Sequence, residues 1–133
     1  MEKLFIPADI YNEMLIYCKD HLPDEACGIL AGLGEQVTAI HKMTNSDSSP
    51  TSYMMDPAEQ FIAMKEIRKN GLQIVALFHS HPVSEPKPSQ KDRELAFYDD
   101  SAYLIVGLES GCPDVKAYMI KEGDVAEISI EIV

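Results

Sequence analysis

The sequence predicts an α/β fold in which a mixed β-sheet is sandwiched by helices. Three observations carry this. Two short runs, Ile74-Val75-Ala76-Leu77-Phe78 and Ala102-Tyr103-Leu104-Ile105-Val106-Gly107-Leu108, are apolar throughout, as strands covered on both faces must be. Two longer stretches, 8–21 and 57–70, repeat their apolar residues at helical spacing. Residues 115–120 and 125–133 instead alternate apolar with polar around Lys121-Glu122-Gly123-Asp124, the pattern of a hairpin with one wet face.

In chain order, Leu4-Phe5-Ile6 is a short strand ended by Pro7. Ile10, Met14, Leu15 and Cys18 form the apolar stripe of the first helix, which Pro23 stops, and His21 in its last turn reads as structural. Residues 26–33 and 36–43 are strands joined at Gly34-Glu35, with His41 expected on a polar face. The turn-rich, apolar-free stretch 44–51 is a loop. Asp56-Pro57-Ala58-Glu59 starts the second helix with an N-cap, a proline at the first position and a capping-box glutamate. Phe61, Ile62, Met64 and Ile67 are its expected core stripe, and Gly71 its left-handed stop. A short helix is expected from Gln90 to about Tyr98.

A chain of 133 residues suits one domain, 1–133, with one sizeable core. With 11 basic residues against 22 acidic ones, the net charge of −11 repels phosphate backbones and anionic lipid, so neither nucleic acid nor membrane is an expected partner. Three cysteines, Cys18, Cys27 and Cys112, show no Cys-x-x-Cys spacing; neither a disulfide framework nor a thiolate zinc site is indicated, and a reducing cytoplasm fits. No basic start followed by a long apolar region appears, which disfavours export.

The chemistry gathers where the first apolar strand ends. His79 and His81 stand at i and i+2 on an extended segment, so both imidazoles point to one side and reach one metal ion. Pro82, Pro86 and Pro88 stiffen the loop that follows, and Ser89 then reads as the N-cap of a helix with Asp92 at its third position. Two histidines and one carboxylate are the three-ligand set of a catalytic zinc site, whose fourth position is left to water.

His-Ser-His, seven residues beginning with Pro82, then Ser-x-x-Asp resembles the signature of the JAMM metalloproteases, also called MPN+ or Mov34/PAD-1 domains. Pro23-Asp24-Glu25-Ala26-Cys27-Gly28-Ile29-Leu30 looks like that family's first strand, and Asn45 with Tyr53-Met54-Met55-Asp56-Pro57 resembles the segment leading into its second helix. The resemblance implies a cytidine-deaminase-like fold and one catalytic zinc on His79, His81 and Asp92. It further implies Glu25 as general base and Ser89 as a donor to the oxyanion. Considered without it, Glu25 is a loop glutamate like many others.

The activity implied is hydrolysis of the amide or isopeptide bond after the C-terminal tail of a ubiquitin-like protein. For so compact a chain, a small sulfur-carrier protein is the expected substrate. A non-catalytic MPN scaffold acting through protein contacts and a RadC-like DNA-associated protein remain alternatives. Retention of every ligand position opposes the first, and the acidic charge with Ser80 between the histidines opposes the second. A zinc nucleoside deaminase lacks its Pro-Cys-x-x-Cys pair here.

Overall fold

A computed structural model describes residues 1–133. Its elements are β1 (Lys3–Ile6), α1 (Ala8–Asp20), β2 (Cys27–Leu33), β3 (Gln36–Met43), α2 (Pro57–Lys69), β4 (Gln73–His81), α3 (Gln90–Glu94), β5 (Ala102–Gly107), β6 (Asp114–Lys121) and β7 (Asp124–Ile132). The strands hydrogen-bond in the order β1-β3-β2-β4-β5-β6-β7, and β1 also pairs with β7, so the sheet closes on itself. Contacts β1/β3, β1/β7 and β4/β5 are parallel and the others antiparallel, which makes the sheet mixed.

Both faces of the central strands are covered, which is why their sequences lack polar alternation. On one face Leu30, Phe78, Leu104 and Val106 pack with Ile10, Met14 and Cys18 of α1. On the other, Ile29, Ala31, Leu77, Ile105 and Ile120 pack with Ala63 and Ile67 of α2. Packing is tight where β2 pairs with β4. Gly28 faces Phe78, and a Cβ at Gly28 would overlap the Phe78 ring and lie 2.7 Å from the His41 carbonyl oxygen. No helix is long and apolar enough to cross a membrane.

Four local expectations change. The apolar stripe of α2 is Ala63 and Ile67, whereas Phe61 and Ile62 are exposed and Met64 is half-buried. The helix rests on the sheet along a narrow line, and these larger side chains fall beside it. Asp56 does cap α2, accepting from the Ala58 and Glu59 N–H groups, but Glu59 does not complete a capping box. Its carboxylate instead accepts from the Thr44 N–H and hydroxyl, both at 2.7 Å. Helix α3 stops at Glu94 rather than near Tyr98, where the Tyr98 N–H turns away to donate to the Tyr103 hydroxyl at 3.0 Å. His41, finally, lies half-buried on the strand face it shares with Ala39 and Met43, not on a wet face.

Gly28→Ala should destabilise the fold by about 1–3 kcal/mol, towards the upper end because a backbone carbonyl cannot yield as a side chain does. A lowered urea midpoint with unchanged slope is the expected reading.

Candidate metal centre and active site

Strand alternation puts His79 and His81 on the α2 side of β4, the face that also carries Leu77. Both are buried, at 1% and 4% exposure. Helix α3 delivers the third group. Ser89 caps it by accepting the Asp92 N–H at 3.0 Å, while Asp92 Oδ2 accepts the Ser89 N–H at 3.0 Å, so the expected reciprocal box is formed. That box aims the Asp92 carboxylate back at the strand end. Its Oδ2 lies 3.1 Å from His79 Nε2 and 3.0 Å from His81 Nε2, and the two Nε2 atoms are 3.2 Å apart.

Three donors at these spacings fit one metal ion. A tetrahedral zinc with bonds of about 2.0–2.1 Å has ligand-to-ligand edges of about 3.3 Å. The tautomer of His81 also suits ligation, because Nδ1–H donates to the Glu85 carbonyl at 2.7 Å and leaves the Nε2 lone pair facing inward. His79 has no such support, for its Nδ1 is buried without a partner. Its ring is held instead by Tyr53, stacked at 4.5 Å between centroids with an interplanar angle of 23°.

Glu25 arrives by register. Cys27 pairs with His79, and Ser80 N–H donates to the Ala26 carbonyl at 3.0 Å, so continuing the antiparallel ladder sets Glu25 opposite His81. Ser80 points to the other face, where its hydroxyl accepts the Ala26 N–H at 2.9 Å. Glu25 is further clasped through its backbone: its N–H donates to the Ser49 carbonyl at 2.8 Å and its carbonyl accepts from Asn45 Nδ2 at 3.0 Å. The side chain is buried, and Oε1 has no partner.

These surroundings set the charges. Burial disfavours ionised Asp92, but hydrogen bonds from His79 and His81 outweigh it and hold the carboxyl well below the usual range. Burial lowers the pKa of His79; for His81 it is outweighed by the hydrogen bonds to Asp92 and Glu85, and the pKa rises. Glu25 is pushed up to about 7, chiefly by burial, with His81 opposing and Asp92 reinforcing. Such a carboxyl takes or gives a proton near neutrality.

All five residues singled out from sequence, Glu25, His79, His81, Ser89 and Asp92, thus lie in one place, on two strand ends and one helix start. Sequence reasoning gave no separate role to Tyr53, Ser80 or Asn45. For Ser80 a signal existed: a hydroxyl at a core-facing position of a buried strand must find a partner. Tyr53 and Asn45 lie in irregular backbone, where no periodicity marks which side chains turn inward.

The raised pKa of Glu25 has a sign for stability. Between its ordinary 4.5 and about 7 the folded state keeps a proton that the unfolded chain has lost, so metal-free stability falls as pH rises through this window. Glu25→Gln should match the wild type near pH 4.5 and exceed it at pH 8 by up to about 3 kcal/mol, measured by urea unfolding in chelator.

Comparison with known proteins identifies the family. Residues 7–121 match the family model described as prokaryotic homologs of the JAB domain. The chain is 35% identical over 133 residues to the CysO-cysteine peptidase of Mycobacterium tuberculosis, covering 98% of this chain and 91% of that protein. It is 36% identical over 110 residues to the desampylase of Haloferax volcanii, covering 77% and 79% respectively. A solution structure of a protein from Desulfitobacterium hafniense superposes with a TM-score of 0.87 at 38% identity, over 98% of this chain and 92% of that one. The chain belongs to the prokaryotic JAB-domain family, a JAMM-type hydrolase.

Proposed function

We propose that this protein is a zinc-dependent peptidase that hydrolyses the amide or isopeptide bond after the C-terminal tail of a ubiquitin-like sulfur-carrier protein. It would act in the cytoplasm, as a single domain spanning 1–133. The observation that carries the reading is the buried, unpartnered carboxyl oxygen of Glu25, set beside three donors spaced for one metal ion. The names of two relatives, a CysO-cysteine peptidase and a desampylase, support a conjugate of a small carrier protein as substrate. An apolar hollow lined by Tyr53, Met54, Leu77, Leu95, Phe97 and Tyr103 adjoins His79 through Tyr53, and suits a short extended tail.

His79, His81 and Asp92 would hold zinc, which supplies Lewis acidity that polarises a carbonyl and brings the pKa of a water to about 7. Glu25 takes the proton of the attacking water as the new C–O bond forms, and passes it to the amine as the C–N bond breaks. A pKa of about 7 serves both transfers. Ser89 has its hydroxyl oxygen occupied by the Asp92 N–H, which leaves its proton to donate to the developing oxyanion. Ser80 and Asn45 hold Glu25 in register and keep clear of the reacting atoms.

Purified without added zinc, the protein should carry close to one equivalent by metal analysis; metal-free protein would favour the scaffold reading. Intact-mass analysis of a C-terminally extended sulfur-carrier protein should show cleavage that chelator and Glu25→Ala both abolish. Ser89→Ala should keep its zinc and lose about 10²–10³-fold in turnover.

Tyr53 gives a separate expectation. Because stacking replaces the missing hydrogen bond on His79, Tyr53→Leu should weaken zinc binding by about 10-fold or more in a chelator competition, while Tyr53→Phe retains it.

A further inference from the structure

The segment between β4 and α3, residues 82–88, is irregular, and no residue of α3 is buried. Where that helix stands therefore depends on how the segment before it is fastened. The fastening gathers at Glu85 and Pro86. The Glu85 carbonyl accepts the Nδ1–H of His81 at 2.7 Å and the Lys87 N–H at 2.8 Å, the latter closing a three-residue turn over Pro86, whose ring-fixed φ suits it. The next carbonyl, that of Pro86, accepts the hydroxyl of Tyr118 at 2.7 Å.

Tyr118 stands on β6, two strands along from the β4 that carries the histidines, and belongs to the core on the α2 side. Between them lies β5, where Gly107 pairs with His81 in parallel register. Pro86 fills the space over that glycine: a Cβ at Gly107 would lie 2.9 Å from Pro86 Cδ and 3.1 Å from its Cβ and Cγ. The proline is thus seated on β5 through its ring and tied to β6 through its carbonyl. Three residues further on, Ser89 opens the capping box that aims Asp92.

A neutral imidazole binds a metal through one nitrogen, and the hydrogen bond on the other decides which. For His81 that bond ends on a main-chain oxygen, so the conformation of the loop sets it. We propose that Tyr118 is a positioning residue of the metal centre. By holding Pro86 against Gly107, it keeps the Glu85 carbonyl on His81 Nδ1 and fixes where α3 begins. This rests on the metal-centre reading given above. Tyr118 acts through the loop and undergoes no chemistry.

The test measures zinc affinity of the whole protein by chelator competition. Tyr118→Phe removes the hydroxyl and keeps the ring, and should weaken zinc binding about 10-fold, the lower end of what a ligand's lost support costs. Pro86→Ala should weaken it in the same direction, and the double variant should lose less than the two losses combined, because both break one anchor. Tyr17→Phe controls for a general loss of stability. Tyr17 donates the same kind of bond, to the Met43 carbonyl at 2.6 Å, on the strand across β2 from β4, and its variant should bind zinc as the wild type does. Proton NMR of the zinc-loaded protein gives a readout free of affinity and turnover: the His81 ring N–H should exchange with water faster in Tyr118→Phe, while the backbone amides of β4 and β5 keep their rates. Wild-type zinc affinity in Tyr118→Phe, an equal loss in Tyr17→Phe, or an unchanged ring N–H exchange rate overturns the positioning role and leaves the metal centre intact. Failure of the wild type to bind zinc overturns the metal-centre reading and this one with it.

Discussion

The pairing of Ala26 with Ser80 is the contact on which the rest of the site depends. Ser80 N–H donates to the Ala26 carbonyl, and the Ser80 hydroxyl accepts the Ala26 N–H, so one residue of β4 satisfies both backbone groups of its neighbour. All of this happens at buried positions, where a lost hydrogen bond costs about 1–3 kcal/mol. One residue to either side of Ser80 stand His79 and His81, and one residue before Ala26 stands Glu25. A slip of one position along this ladder would turn the histidines into the α1 core and leave Glu25 facing nothing. Register is thus what brings Glu25 and the two histidines together.

Around that pairing, burial and charge are balanced group by group. Asp92 is ionised because two imidazoles and a backbone N–H converge on it. Glu25, a short distance away, has no hydrogen-bond partner for Oε1 and is dominated by burial. Two carboxyl groups of similar intrinsic acidity are driven apart, one fixed as an anion and the other kept near its midpoint at neutral pH. The division follows from position: one sits over the converging donors, the other is buried at the mouth of a strand with no donor for Oε1.

Much of this was legible in the sequence, for identifiable reasons. The doubly covered strands, both hairpins and the Ser89–Asp92 cap follow from local rules of periodicity and capping that tertiary packing did not override. The spacing of His79 and His81 fixed their common face through strand geometry alone. Legibility failed where a choice depends on what arrives from elsewhere in the chain. Phe61 and Ile62 satisfy a helical stripe, yet the sheet meets α2 at Ala63 and Ile67. Glu59 had the right place for a capping box and was taken by Thr44. Glu25 could be picked out only by family likeness, since its opposition to His81 is a fact of pairing between segments more than fifty residues apart.

The closing of the sheet through β1 has a further consequence. Four residue pairs join β1 to β7, but a single pair, Phe5 with Gln36, joins it to β3. The ring of strands therefore has one thin seam, and fluctuations that part the sheet begin there with the smallest loss of hydrogen bonds. The seam runs along the outer edge of β3, whereas β2 holds Glu25 to β4 along its other side through a ladder of six pairs. Backbone amides at the seam should therefore exchange with solvent through openings that leave the β2–β4 ladder closed. The molecule can breathe on one side of β2 while the cluster of His79, His81 and Asp92 and the neighbouring Glu25 stay fixed on the other.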